Sequence, residues 1–309
     1  MNSSDQTLAI AALKRAAPYI RMYKGKTFVV KAGGGVFADT DSTRVLVEQI
    51  AILHYFGVRV VMVHGGGPQV TDLQNALGLE ARMVHGRRVT DQKSIDVTAM
   101  VLSGLINTRI LSICRQLNID AVGVSGVDAG LIRAHRRAPV KMEDGQMVDY
   151  GFVGDIVGVD TTVIRKLLDN GLMPVVSPLS ADANGVLLNI NADTVAGAIG
   201  ASLDAEKLIL CTGAPGILER VDDAGSLISY TDLKGLKRLK DEKRIVEGML
   251  PKARAIEEAI RGGVRRVHVV SYKSPEGILG EVFTNEGTGT LIVADVNAIP
   301  ANEQQPGGR

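Results

Sequence analysis

Twice within its first seventy residues the chain runs a short β-forming segment into three glycines. Thr27-Phe-Val-Val-Lys31 leads to Gly33-Gly34-Gly35, and Val58 to Val63 leads to His64-Gly65-Gly66-Gly67. The second run is apolar except for Arg59, as in a strand of a sheet buried on both faces. A helix reads from Asp41 as N-cap to Phe56, with Val45, Leu46, Ile50 and Leu53 on one face and Gly57 as its stop. The next opens at Pro68, suited to the first helical position, and stops at Gly78. Helical periodicity returns over 92–117, 161–169, 193–203 and 251–261, and strand-like runs over 120–124, 174–178, 186–190, 207–212, 265–271 and 290–293. Such alternation predicts an α/β fold with a mainly parallel sheet covered on both sides.

Composition narrows the function. At 309 residues the chain exceeds the usual single-core size, so one large α/β unit or two lobes is expected. Thirty-five Lys+Arg against 34 Asp+Glu gives a net charge of +1, with 4% aromatic residues and no Trp. Neither nucleic acid nor an anionic membrane has an electrostatic footprint here. No stretch approaches the roughly 20 apolar residues of a membrane span. Cys114 and Cys211 form no CxxC motif, which argues against a disulfide framework. The expected location is cytoplasmic.

Three segments depart from the strand–helix rhythm. Residues 1–26 carry a helical pattern (Ile10, Leu13, Ala17) ending near Pro18 to Gly25. Ser3, Ser4, Lys14 and Arg15 resemble a transit peptide, but the segment is short and contains Asp5. Ala134 to Ile156 reads as an exposed hairpin or flap. Residues 298–309 have the composition of a disordered tail.

Ligands of open α/β sheets bind at the carboxyl ends of strands. Glycine-rich turns there let backbone N–H groups approach phosphate oxygens, with Lys31 adding a positive charge. In Asn189-Ile-Asn191-Ala-Asp193 polar residues end a strand and open a helix. Asp193 suits a helix cap by itself, but three polar residues exceed what one cap needs. Gly248-Met-Leu-Pro251-Lys252 puts a cation in the first turn of a helix, against the helix dipole, so Lys252 is expected to have an anionic partner. Arg88 in Gly86-Arg87-Arg88-Val-Thr90-Asp91 could grip a carboxylate bidentately. Other motifs fail. Gly25-Lys26-Thr27 mimics the end of a phosphate-binding loop but has Ile20 where its first glycine belongs and precedes a strand. Gly123-Val-Ser125-Gly126 lacks the last glycine of a nucleophile elbow. His54, His64, His85, His135 and His268 have no metal-ligand spacing, and no metal site is expected.

Taken together, Lys31-Ala-Gly-Gly34, His64-Gly-Gly-Gly67-Pro68, Gly86-Arg-Arg88-Val-Thr-Asp91, Gly151-Phe-Val-Gly-Asp155, Asn189-Ile-Asn-Ala-Asp-Thr-Val-Ala-Gly197, Gly248-Met-Leu-Pro-Lys252 and Phe283-Thr-Asn-Glu-Gly-Thr-Gly-Thr290 resemble the amino acid kinase family, in its N-acetylglutamate-phosphorylating branch. The specific part is the pairing of Asn-Ile-Asn-Ala-Asp with Gly-Met-x-Pro-Lys. The resemblance implies a three-layer α/β/α sandwich of two lobes: an N-terminal helix (1–26), an acyl-amino-acid-binding lobe (27–185) and a nucleotide-binding lobe (186–297). It implies ATP-dependent phosphorylation of the side-chain carboxylate of N-acetyl-L-glutamate, as in arginine biosynthesis, with Mg²⁺ on the nucleotide.

By the same resemblance Lys31, Asp193 and Lys252 are catalytic. Gly66, Gly67, Arg88, Asn189 and Asn191 would bind the acyl amino acid, and Gly33, Gly34, Gly65, Thr212, Gly213, Gly216 and Met249 the nucleotide. A homo-oligomer (dimer or hexamer) and an arginine effector are implied too, with Tyr19, Lys207 and Glu281 matching the effector site while Ser271-Tyr-Lys-Ser-Pro-Glu276 departs from it. Ala32, Gly35, Arg87 and Gly213 also replace the family's usual residues. Alternatives are a kinase for aminoadipate or for a carrier-linked amino acid, where Arg87, Arg133, Arg136 and Arg137 would suit an acidic carrier although solvated surface charge is their ordinary role, and a catalytically weak amino-acid sensor of the same fold.

Overall fold

A computed structural model of the protein describes residues 3–298 except 81, 85, 86, 143, 144, 221, 246–248, 285 and 286. The strands are β1 (Thr27–Ala32), β2 (Arg59–His64), β3 (Met83–Val84), β4 (Arg87–Arg88), β5 (Ala121–Ser125), β6 (Ile132–Arg136), β7 (Val140–Lys141) and β8 (Met147–Val148). After them come β9 (Gly154–Val159), β10 (Met173–Ser177), β11 (Leu179–Ala181), β12 (Leu187–Asn189), β13 (Lys207–Thr212), β14 (Tyr230–Asp232), β15 (Arg266–Ser271) and β16 (Thr290–Val293). The α-helices are α1 (Ser3–Tyr23), α2 (Thr40–Tyr55), α3 (Gly67–Ala76), α4 (Gln92–Ala99), α5 (Asn107–Gln116), α6 (Thr162–Asp169), α7 (Ala192–Ser202), α8 (Leu233–Asp241), α9 (Leu250–Arg261) and α10 (Gly277–Phe283).

Among the described residues, eight strands form one sheet in the order β14-β16-β15-β13-β1-β2-β10-β5. Every pairing in it is parallel except β15 with β16. Alternation along each strand divides the core between two faces. Phe28, Val30, Val60 and Met62 pack with Leu46, Ile50, Ile95, Ile110 and Ile278, the layer of α2, α4, α5 and α10. Val29, Val61 and Val63 pack with Ile164, Val195, Ile199, Leu236 and Ile256, the layer of α6 to α9. Each such side chain contributes roughly 1.5–3 kcal/mol on burial. The result is the expected α/β/α sandwich. Its sheet is continuous from residues 27–185 into 186–297 where β1 pairs with β13.

Several boundaries differ from the sequence reading. The cap of α2 is Asp39 rather than Asp41: its carboxylate accepts from the backbone N–H of Asp41 (3.2 Å) and Ser42 (2.7 Å). Helix α1 continues through Pro18 to Tyr23. Leu8, Ile10 and Leu13 on it are exposed, so a carbonyl freed by the proline can turn to water. The stretch 134–156 is only partly a flap. Its ends, β6 and β9, pair antiparallel in a second sheet of order β12-β11-β6-β9, and β7–β8 is the hairpin. Of the expected tail, Ala298 closes a 3-10 turn (Val296–Ala298), and 299–309 lie outside the described residues.

Helices α4 and α5 are joined by the π-helical segment Met100–Ile106. The continuous run Gln92–Gln116, 25 residues with mean hydropathy 1.6 over its most apolar window, is by length and composition long and apolar enough to cross a membrane. Half of that window is buried within the fold. Polar Asn107 within it is buried and donates to the Val175 carbonyl at 3.0 Å, so the segment serves here as a core helix.

Two imidazoles are sealed in the sandwich. His64 ends β2, with Nδ1 3.2 Å from the Gly65 carbonyl and Nε2 3.2 Å from Asn107 Nδ2. Burial pushes its pKa down to about 4. His268 on β15 is also pushed to about 4, first by burial and then by Lys207. The unfolded chain protonates both near the ordinary value of 6.5 while the folded chain refuses the proton, so stability is lost as pH falls from about 6.5 towards 4. Thermal unfolding followed between pH 7.5 and 4.5 should show a steadily falling midpoint, with a shallower fall in His64→Gln. A flat profile would contradict this assignment.

Candidate active site

The alternation that sends Val29 to the α6–α9 side sends Lys31 there too, at the carboxyl end of central strand β1. Asp193 and Lys252 meet it from the first turns of α7 and α9. Asp193 is not the helix cap that its position allowed. Asn191 takes that role, its Oδ1 accepting from the N–H of Asp193 (2.8 Å) and Thr194 (3.3 Å). The Asp193 carboxylate is thereby free, and both ammonium groups donate to it: Lys31 Nζ at 2.7 Å from Oδ1 and Lys252 Nζ at 2.9 Å from Oδ2. The three residues are 7–8% exposed.

Burial alone would raise the Asp193 pKa, but the charges and hydrogen bonds of the two lysines hold it below the ordinary carboxylate value. Burial, then the Lys31 charge, lowers that of Lys252 against the opposing pull of Asp193. Lys252 thus has the anionic partner its place in the helix demanded. Two cations on one carboxylate leave one positive charge uncompensated, and a buried cation of that kind calls for an anionic ligand.

The glycine turns lie against this centre and against each other. A Cβ on Gly34 would stand 2.8 Å from Pro68 Cδ and 3.0 Å from Gly66 Cα. On Gly66 it would collide with Ile106 and come within 2.6 Å of Leu102 Cδ2. At Gly34 the obstacles are a proline ring and backbone, whereas at Gly66 the side-chain ends of Ile106 and Leu102, from the π-helical segment, would have to shift. Gln69 fastens the two turns, its Nε2 donating to the Gly34 carbonyl at 2.8 Å. Gly65 is less confined, since its Cβ position lies 3.6 Å from Ala192 Cβ, and that of Gly67 meets nothing within 4 Å.

Arg88 projects from β4 over α3. It donates to Gln74 Oε1, to Thr71 Oγ1 (2.5 Å) and to the Gly67 carbonyl (3.2 Å), and burial lowers its pKa. Gln74, fully buried, is itself held by Nε2 donating to Ser94 Oγ at 2.8 Å. Asn189 ends β12 with its N–H donating to the Phe152 carbonyl at 2.8 Å. A cavity of about 980 Å³ joins Lys31, Asp193, Arg88, Asn189, Asn191, Gly34 and Gly65 to Gly67. Arg137 and Asp155 stand on its wall as an ion pair of 2.5 Å, so Arg137 is not the solvated charge its sequence suggested.

The remaining candidates sit elsewhere. Gly33, Thr212, Gly213, Gly216 and Met249 do not line this cavity. Thr212 Oγ1 donates to the Ala214 carbonyl (2.9 Å) and accepts from its N–H (3.1 Å), locking the turn after β13. Gly216 is a packing glycine, its Cβ position 2.6 Å from Thr290 Oγ1 and Leu227 Cδ1. Met249 caps α9, while Gly248 lies outside the described residues. Of the three residues suggesting an effector site, Lys207 and Glu281 are linked through His268 at 2.9 and 2.7 Å, and Tyr19 packs edge-on against Phe283. Gln69 and Gln74 were not singled out in the sequence, and His268 entered only as a histidine without metal-ligand spacing, because a buried polar residue looks like any other until its partner is located. Among the described residues no cluster of three His, Cys, Asp or Glu can hold a metal ion, and Asp193 is engaged by both lysines.

The sequence pattern of the amino acid kinase family matches residues 26–271. The acetylglutamate kinase of Myxococcus xanthus is 45% identical over 303 residues, covering 96% of each chain. That of Symbiobacterium thermophilum is 44% identical over 284 residues, 92% of this chain and 97% of its own. Among solved structures, N-acetylglutamate synthase from Neisseria gonorrhoeae complexed with coenzyme A and N-acetyl-glutamate superposes with a TM-score of 0.80 at 27% identity, covering 93% of this chain and 64% of that one. Carbamate kinase from Giardia lamblia bound to AMP-PNP shares the fold at a TM-score of 0.63 and 18% identity, over 88% of this chain and 99% of that one.

The charge imbalance has a measurable consequence. Asp193→Asn leaves two buried ammonium groups without a carboxylate and should cost roughly 3 kcal/mol of stability. Lys252→Met leaves the Lys31–Asp193 pair neutral and should cost less than about 1 kcal/mol. Denaturant unfolding of both variants checks this, and equal losses would contradict it.

Proposed function

Because the chain belongs to the amino acid kinase family, we propose that it phosphorylates the side-chain carboxylate of N-acetyl-L-glutamate with ATP, a step of arginine biosynthesis. The observation that carries this reading is the Lys31–Asp193–Lys252 centre, with its surplus positive charge at the edge of a cavity walled by glycine turns. A carboxylate is already a nucleophile, so the reaction requires no general base. It requires alignment, and donors for the charge spread over the phosphoryl oxygens.

In the proposed mechanism a carboxylate oxygen attacks the γ-phosphorus, the bond to the β-bridging oxygen breaks, and ADP leaves with the electron pair. Lys31 holds the transferring group, Lys252 offsets charge growing on the leaving phosphate, and Asp193 orients both. Gly34, Gly66 and Gly67 supply backbone N–H groups, while those of Gly33 and Gly65 are held by the Cys211 and Ala32 carbonyls and fix the turns. Arg88, steadied by Gln74, receives the substrate α-carboxylate with Asn189, and Asn191 acts through its cap on α7. ATP lies over residues 186–297, near Thr212, Gly213, Gly216 and Met249, with Mg²⁺ on its phosphates. The acyl amino acid lies over 27–185.

A cytoplasmic enzyme assembled as a homo-oligomer, with arginine as effector at Tyr19, Lys207 and Glu281, completes the reading. The carrier-linked alternative loses support, since Arg136 and Arg137 pair with Asp149 and Asp155. A substrate panel of N-acetylglutamate, N-acetylaminoadipate and free glutamate should show turnover of the first. Lys31→Ala and Lys252→Ala should each lower kcat roughly 10²- to 10³-fold, with the KM for N-acetylglutamate changing far less. Near-normal turnover in both variants would refute the assignment.

A further inference from the structure

Tyr272 follows the last residue of β15, and its N–H donates to the Thr212 carbonyl at 2.9 Å, so it leaves the sheet beside the end of β13. Its ring is half-buried, packed against the α2-side core, and its hydroxyl points back over the ends of β13 and β1. Two glycines from different strand ends make room for it. A Cβ on Gly35 would lie 2.5 Å from the phenol oxygen and 3.3 Å from Cζ, and one on Gly213 would lie 3.4 Å from that oxygen. The hydroxyl therefore fills the gap between the turn that follows Lys31 and the turn that follows Thr212. It makes no hydrogen bond to the described residues and, on a half-buried side chain, stays open to solvent and to a ligand that replaces it.

A donor left unpaired, on a side chain with only two rotatable bonds, is preorganised for an acceptor that arrives with a ligand. Its place identifies that acceptor. It adjoins Gly35, four residues after Lys31 in the 3-10 turn Gly34–Ala38, on the side where Gly213 begins the second turn. We propose that Tyr272 is a nucleotide-contact residue whose hydroxyl donates to a phosphate oxygen of ATP at the junction of these turns. The proposal rests on the kinase reading above. Gly35 and Gly213 are then glycines because the phenol stands where their side chains would be, and one hydroxyl serves both loops.

Calorimetric titration of the full chain with Mg·AMP-PNP separates this proposal from the reading beneath it. Binding to the unaltered protein tests the kinase reading, and the change caused by Tyr272→Phe tests the contact. Loss of a hydrogen bond to a charged acceptor should weaken binding about tenfold or more in Tyr272→Phe. The thermal midpoint should stay unchanged, because the hydroxyl makes no hydrogen bond to the described residues. Gly35→Ala, whose methyl group needs the hydroxyl's place, should weaken binding comparably in the unaltered background and add little in Tyr272→Phe. Nucleotide affinity within twofold of the unaltered protein in Tyr272→Phe would overturn the proposal and leave the ring a space-filler. So would independent, additive effects of the two substitutions.

Discussion

Two ammonium groups converge on one buried carboxylate, and much of the fold can be understood as the means of holding them there. Lys31 reaches Asp193 because β1 is the central strand and alternation turns residue 31 towards α7. Asp193 is available because Asn191 satisfies the amides of the helix start. Lys252 is brought in by α9, which packs along α7 behind Pro251. None of these placements is favourable by itself. Burial penalises every one of the three charges, and only their mutual geometry makes the arrangement tolerable.

Rigidity around the centre comes from contacts a side chain would destroy. Gly34 and Gly66 touch across two strand ends, Gln69 ties them together, and Leu102 and Ile106 of the π-helical segment press on Gly66 from behind. His64 stays neutral between the Gly65 carbonyl and Asn107, anchoring the second turn to α5 without adding charge beside the lysines. Backbone amides fixed in this way need no reorganisation when charge develops in front of them, which is how electrostatic stabilisation becomes effective in a low-dielectric cleft.

The layered α/β architecture was legible because periods of 2 and 3.6 leave different marks, and strands such as Val58 to Val63 lack any polar face. Local ambiguity defeated finer points. Asp39 and Asp41 both suit a helix start, as do Asn191 and Asp193, and which one caps depends on backbone angles that composition does not encode. The small sheet of β12-β11-β6-β9 escaped notice because its two local antiparallel ladders are joined across distant segments only where Ala181 meets Arg133. At the site, Lys252 stood out as a cation at a helix start, whereas Asp193 suited an ordinary cap and Lys31 an ordinary strand end, so their catalytic reading came from the family resemblance. Gln74 beneath Arg88, His268 between Lys207 and Glu281, and Tyr272 against two glycines became visible only when remote strand ends were brought together.

On the proposed mechanism the surplus charge of the Lys–Asp–Lys centre belongs to a phosphoryl group in flight. The most direct measurement is a crystal structure of the protein with ADP, Mg²⁺, N-acetyl-L-glutamate and tetrafluoroaluminate, a planar mimic of that group. Both Lys31 Nζ and Lys252 Nζ should lie within about 3 Å of the mimic or its bridging oxygens. They should keep Asp193 between them, with the substrate carboxylate in line. A bound mimic elsewhere in the cavity, with both lysines facing Asp193 alone, would contradict the account.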